Sequence, residues 1–302
     1  MKDGFIGKIL SKLPYVRYAY YSRKYSNQRP GHFYSPVINL DEVAQRQHQI
    51  WSSKRSLTGI RFNDEVQQDF FRSLIENSER FPFSAHPEPG KFRYYWDNKT
   101  FGYSDGLSLF TTLVKFRPKR IIEIGSGFSS SLMLDTNDAF LDKSIQFTFI
   151  EPNPHIALER LLRKEDYKNT DVRRSFVQDV DLRFYESLEE NDILFIDNSH
   201  VSKTGSDVNY LMTEVVPILK KGVLVHIHDI FYPFEYPKEW VLDLRINWNE
   251  IYTVHNFLLF NDSFEMVFFA DYMQQQMREQ YAATVPLFYK DRPGSLWIRK
   301  VK

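Results

Sequence analysis

Cysteine is missing from this 302-residue sequence. Its absence excludes disulfides, thiol nucleophiles and cysteine-based metal sites, and suits a reducing cytoplasm, the compartment expected here. A net charge is missing too: 39 Lys and Arg balance 39 Asp and Glu. No general pull toward a polyanion operates, and no nucleic-acid partner is expected. No apolar run approaches the roughly 18 residues of a spanning helix. The N-terminus lacks the unbroken apolar centre of a secretory signal. Internal repeats and low-complexity tracts are absent as well. What remains is 42% hydrophobic and 16% aromatic residues, enough for one large core or a core with an appendage.

The first 25 residues depart from the charge balance. Lys2, Lys8, Lys12, Arg17, Arg23 and Lys24 face the single acid Asp3, with tyrosines, isoleucine and leucine between them. Two readings apply: a solvated arm packed on its own domain, which is the preferred one, or a basic aromatic segment making peripheral contact with a membrane. Residues 1–90 read as an irregular and partly helical extension, with a polar helical stretch near Asp64–Glu79 and the proline-rich FPFSAHPEPG.

From residue 91 the pattern becomes regular. Strand-length apolar runs stand at Arg120–Ile124, Gln146–Ile150, Val172–Val177, Asp192–Ile196 and Gly222–Ile227. Between them SSLMLDTNDAFL, HIALERLLRK and DVNYLMTEVVPIL have helical spacing. Alternation of this kind predicts an α/β, Rossmann-like doubly wound parallel sheet covered on both faces. Two late strands, FEMVFFADY and SLWIRKV, with no clear helix between them, predict a hairpin that ends the sheet with an antiparallel seventh strand.

In such a sheet, ligands sit beyond the carboxyl ends of the strands. RIIEIGSGFSSS ends the first strand at Glu123–Ile124 and puts Gly125, Ser126 and Gly127 in the turn, with Ser129 or Ser130 placed to cap the next helix. The second strand ends in Glu151, where an acid can accept hydrogen bonds from ribose hydroxyls. NAD and S-adenosylmethionine both carry a ribose, so Glu151 alone does not separate them. Ser130 at the third glycine position and Glu123 two residues before the first glycine lean away from NAD.

EIGSGFSS, followed by FIEPNP, VQDV, DILFIDNSH and GVLVHIHDI, resembles the class I S-adenosylmethionine-dependent methyltransferases, and more narrowly the bacterial group labelled methyltransferase domain 24. The resemblance spans roughly residues 94–300. It implies a seven-stranded sheet with the last strand antiparallel. It also implies Glu123, Gly125 and Gly127 around the methionine part of the cofactor, Glu151 at the ribose and Asp179 near the adenine. Ser126, Ser129 and Asp197 complete the expected cofactor-binding set.

DILFIDNSH emerges into Asp197 and His200, and GVLVHIHDI into His228 and Asp229, all facing the same cleft. His200, His228 and Asp229 are the candidate catalytic residues, since methyl transfer to a hydroxyl needs alignment and often a base. His226, deeper in its run, reads as a core histidine. Asp197, His228 and Asp229 are also the positions similar to the metal ligands of catechol-type O-methyltransferases, which makes a divalent metal a second cofactor to test. The aromatic segments FRYYWDNKTFGYSDG and FYPFEYPKEW suit a sugar or phenolic acceptor. The sequence thus predicts an S-adenosylmethionine-dependent methyltransferase of 91–302, acting on a small-molecule or glycan hydroxyl. An NAD-dependent oxidoreductase or sugar-nucleotide epimerase is the alternative enzyme, although Tyr210 is followed four residues later by Glu214 where such enzymes carry a lysine. A non-catalytic cofactor-binding module is the remaining alternative.

Overall fold

The computed structural model describes residues 12–52 and 56–302. Contacts divide the chain into two units, one of Met1–Arg55 with Tyr236–Asn247, the other of Ser56–Glu235 with Trp248–Lys302. The longer helices are Pro14–Tyr25 (α1), Asp64–Ser78 (α2), Tyr103–Phe116 (α3), Phe128–Phe140 (α4) and Glu250–Leu258 (α5). Residues 207–218 form a helical segment with a π-helical stretch at Leu211–Val215. No helix among the described residues is long and apolar enough to cross a membrane.

The larger unit takes in residues 56–90, which the sequence reading had assigned to the extension. The cause is α2, whose spacing puts Phe70, Phe71 and Leu74 on one buried stripe. That stripe packs against α3 and the sixth strand.

Seven strands form one sheet: Arg120–Ile124 (β1), Gln146–Ile150 (β2), Thr170–Arg173 (β3), Ile193–Ile196 (β4), Leu224–Ile227 (β5), Phe264–Phe269 (β6) and Leu296–Lys300 (β7). Their order is β3-β2-β1-β4-β5-β7-β6. The first five pair in parallel, and β7 runs antiparallel between β5 and β6. This is the expected Rossmann-like sheet with an antiparallel last strand. Parallel strands covered on both faces need apolar side chains in both directions. Ile121, Phe147, Phe149, Ile193, Phe195, Leu224 and Trp297 join the core under α2, α3 and α4. The intervening Ile122, Ile124, Leu194, Ile196, Val225 and Ile227 are equally buried outside that cluster, so the other face is covered too.

Three local expectations differ. β3 ends at Arg173 rather than Val177, because on this edge the register with β2 stops at Ile150↔Arg173 and Val177–Asp179 turns into a 3-10 helix. HIALERLLRK yields only the four-residue helix Leu158–Leu161. FEMVFFADY stops being a strand at Phe269, and Ala270–Gln276 and Arg278–Tyr281 are helical. The last two strands are therefore paired neighbours joined by a long helical connection, not a tight hairpin.

In the smaller unit, Trp51 Nε1 donates to the Tyr236 carbonyl at 2.8 Å and the Ile38 amide to Asn247 Oδ1 at 3.1 Å. These bonds tie the insertion 236–247 to the N-terminal residues. Lys2, Asp3 and Lys8 lie outside the described residues.

Candidate active site

The turn after β1 is pressed against the end of β4. Gly125 has φ +76°, and a Cβ there would fall 1.7 Å from the Asp197 carbonyl oxygen. The Gly125 amide donates to the Ile150 carbonyl at 3.1 Å and the Asp197 amide to the Ile124 carbonyl at 2.9 Å. The carboxyl ends of β1, β2 and β4 are thereby joined, and only glycine fits the junction. Gly127 differs: its backbone is extended and a Cβ there would meet nothing within 4 Å.

A cleft of about 750 Å³ opens at this junction, lined by Gly125, Glu151, Gln178, Asp179, Asp197 and Asn198 among others. Gly125, Glu151, Asp179 and Asp197 are thus brought together as the sequence predicts. Glu123 and Ser129 are not at its wall. Glu123 is fully buried, accepting from Ser129 Oγ at 2.6 Å and from Ser130 Oγ. Burial pushes its carboxyl up to about 8, against the lowering influence of the two serines. It fastens β1 to the first turn of α4. Ser126 lies in the turn itself, where its Oγ is buried without a partner; so is Gln178 Oε1. Gln178 was passed over in the sequence, although it stands beside Asp179 in VQDV.

The second group of predicted residues surrounds His200. Its Nε2 lies 3.4 Å from Asp197 Oδ1 and 3.6 Å from Asp229 Oδ2, ion-pair distances rather than hydrogen bonds. Its Nδ1 meets Glu250 Oε2 at 2.9 Å. Burial opposes charge on this ring, but Asp197, Glu250 and Asp229 outweigh it and push it up to about 10. His200 is therefore an imidazolium at neutral pH. His228 Nε2 lies 3.6 Å from Asp229 Oδ1. Burial raises the Asp229 carboxyl, partly offset by His228 and His200. Asp197 moves the other way: despite burial, His228 and His200 hold it below the usual carboxylate range. Both His200 (φ +58°) and Asp229 (φ +56°) adopt left-handed backbone, a strain that recurs at functional sites.

Sequence reasoning missed Glu250 and Trp248. Glu250 is 1% exposed at the start of α5 and also accepts from Asn198 Nδ2 at 2.8 Å. The Trp248 ring lies against His200 at 4.4 Å. Neither belongs to a motif, and only the fold carries them to His200. His226 is the core histidine expected, stacked on Phe195 at 3.8 Å with Nε2 bonded to Ser295 Oγ.

Residues 122–230 match the family described as a methyltransferase domain. An uncharacterized protein of Archaeoglobus fulgidus is 39% identical over 167 residues, which cover 54% of this chain and 75% of that protein. The chain belongs to the methyltransferase-domain family. The relative is archaeal, so the bacterial source to which the sequence resemblance pointed is not shown. Among solved structures, an S-adenosylhomocysteine-bound methyltransferase of Podospora anserina is 14% identical, covering 87% of this chain and 97% of that one with a TM-score of 0.43. An O-methyltransferase from Bacillus cereus in complex with S-adenosylhomocysteine is 13% identical, covering 86% and 97%, with a TM-score of 0.41.

The methyltransferase domain fits its two expected cofactors unequally. The orphaned acceptors Ser126 Oγ and Gln178 Oε1, with the open side of Gly127, are what a polar ligand with donors would fill. The metal set does not fit. The imidazolium of His200 lies between Asp197 and Asp229, and no three His, Asp or Glu side chains among the described residues converge to hold an ion. Asp197, His228 and Asp229 are therefore neighbours in a charge network rather than a coordination sphere.

Proposed function

We propose that this methyltransferase-family protein uses S-adenosylmethionine to methylate a hydroxyl of a small-molecule or glycan acceptor. The observation that carries the reading is the cleft lined by Gly125, Glu151, Gln178 and Asp179, where the buried Gln178 Oε1 is left unpaired, as is Ser126 Oγ in the turn beside Gly125. An unpaired buried acceptor costs about 1–3 kcal/mol, which a ligand donor can relieve. In this reading Glu151 accepts from the ribose hydroxyls, Gln178 Oε1 accepts from the adenine amine, and Asp179 lies at the adenine rim. The open face of Gly127 leaves room for the methionine part, and Glu123 supports the turn from beneath.

The bound cofactor supplies an electrophilic sulfonium methyl. The residues of this chain then align the acceptor oxygen and take its proton. A charged His200 is no proton acceptor; it holds Asp197 and Asp229 in place and balances their charge. Asp229, whose carboxyl burial raises, is a stronger base than an ordinary carboxylate and receives the acceptor proton, with His228 beside it.

Calorimetry with S-adenosylhomocysteine and with NAD, followed by S-adenosylmethionine turnover over a panel of hydroxylated acceptors, tests the reading. Binding of S-adenosylhomocysteine and turnover with at least one acceptor are expected. Binding of NAD alone would make the chain an oxidoreductase or epimerase. Cofactor binding with no turnover across the panel would make it a binding module.

A further inference from the structure

Residues 12–37 hold Lys12, Arg17, Arg23, Lys24 and Arg29 and no acid, in a chain whose net charge is zero. All of them but Lys24 are exposed. Arg17, Arg23 and Arg29 meet no carboxylate among the described residues.

Within α1, Tyr18, Tyr21 and Tyr25 follow i, i+3, i+7 spacing and share one face. Arg17 and Lys24, also seven apart, form the adjacent row. Tyr18 is 69% and Tyr25 72% exposed. An open hollow of about 430 Å³, lined by Arg23, Lys24, Tyr25, Ser26 and Asn27, sits at the helix end. Beyond it the chain closes a compact loop through the Gly31 amide, which donates to the Val37 carbonyl at 3.0 Å. That loop carries Phe33 and Tyr34, 78% and 73% exposed and packed ring on ring at 3.9 Å.

From these features we infer that this surface of the smaller unit docks on an anionic lipid bilayer, with Phe33 and Tyr34 entering the interface and the arginines meeting lipid phosphates. Tyrosines with an apolar body and polar tip suit that boundary, and exposed Leu13, Val16 and Val37 add aliphatic area that a nucleic acid would not use. The surface stands apart from the methyl-transfer reading and does not depend on it.

The test is co-sedimentation of the full chain with vesicles of phosphatidylcholine alone, or with roughly a third phosphatidylglycerol, at low and high salt. Binding is expected only to the anionic vesicles and more weakly at high salt. Arg17→Gln with Arg23→Gln should lower the partition coefficient on the order of 30-fold. Phe33→Ser with Tyr34→Ser should lower it at least about tenfold. In Phe33→Trp, brominated lipid should quench the added fluorescence, which reports insertion without removing the ring.

Failure to pellet with anionic vesicles would overturn the inference. So would a Phe33→Ser, Tyr34→Ser protein that binds like the wild type, because charge alone would then point to a polyanion such as nucleic acid. A dimer in ultracentrifugation that dissociates in the same variant would reassign the surface to a second copy of this chain.

Discussion

His200 and Glu250 hold each other from both sides. The His200 carbonyl accepts from the amides of Asn249 and Glu250 at 3.0 and 3.1 Å, so it anchors the start of α5. The Glu250 carboxylate returns a side-chain contact to the His200 ring at 2.9 Å.

Replacing Glu250 by Gln keeps the shape and removes the charge. The ring of His200, raised to about 10 with Glu250 among the causes, should titrate at lower pH, which a proton NMR titration would read. The sign for stability follows. A base raised from 6.5 contributes stability that is fully present below about pH 6.5 and lost as pH rises toward 10. Glu250→Gln should flatten that alkaline loss, and turnover should fall about tenfold or more through misplacement of the charge network. An unmoved His200 titration would refute the coupling.

The two glycines of the turn should fail in different ways. Gly125→Ala forces Cβ against backbone and a left-handed φ on alanine, so the protein should melt lower by several degrees or not fold. Gly127→Val places its side chain in open space. It should fold normally and lose affinity for S-adenosylhomocysteine in calorimetry. Normal binding by Gly127→Val would mean the turn only turns.

Glu123 shares the direction of the His200 pH dependence, in a lower window. Its carboxyl, raised from 4.5 to about 8, keeps the proton in the folded protein while the unfolded chain releases it. Stability should therefore fall as pH rises from about 4.5 to 8, by up to roughly 1.4 kcal/mol per pH unit from this group. Glu123→Gln mimics the protonated form, so its melting temperature should exceed the wild-type value at pH 8 and match it near pH 4.5.

Chelation separates the charge network from a metal centre. Because His200 lies between Asp197 and Asp229, turnover should persist in excess EDTA, and metal analysis of the purified protein should find no stoichiometric divalent ion. Loss of activity in EDTA, restored by Mg²⁺ or Mn²⁺, would refute that arrangement.

The sheet was legible because apolar runs bounded by turn residues fix strands wherever both faces are buried. β1 and β2 fall within the residues expected for them. β3 was misplaced because it lies at the edge, where half-buried Thr170, Val172 and Arg173 leave little periodic signal. The parts of the site that follow strand ends were also readable, since Gly125, Glu151, Asp197 and Asp229 each sit where an apolar run stops. Glu250 was not, for it reaches His200 from 50 residues away by a helix start that carries no motif of its own. The protonation of His200 was equally hidden: histidine in a sequence reads as a base, and only three surrounding carboxylates make it a cation.

The excursion Tyr236–Asn247 has a consequence for synthesis. Ile38 and Trp51 leave the ribosome early, yet their partners Asn247 and Tyr236 are translated only after all of β1 to β5. At about 5–20 residues per second, these early residues wait on the order of ten seconds or longer before their unit can close. A nascent chain stalled before Tyr236 should present them to protease or chaperone, and one stalled well after Asn247 should not.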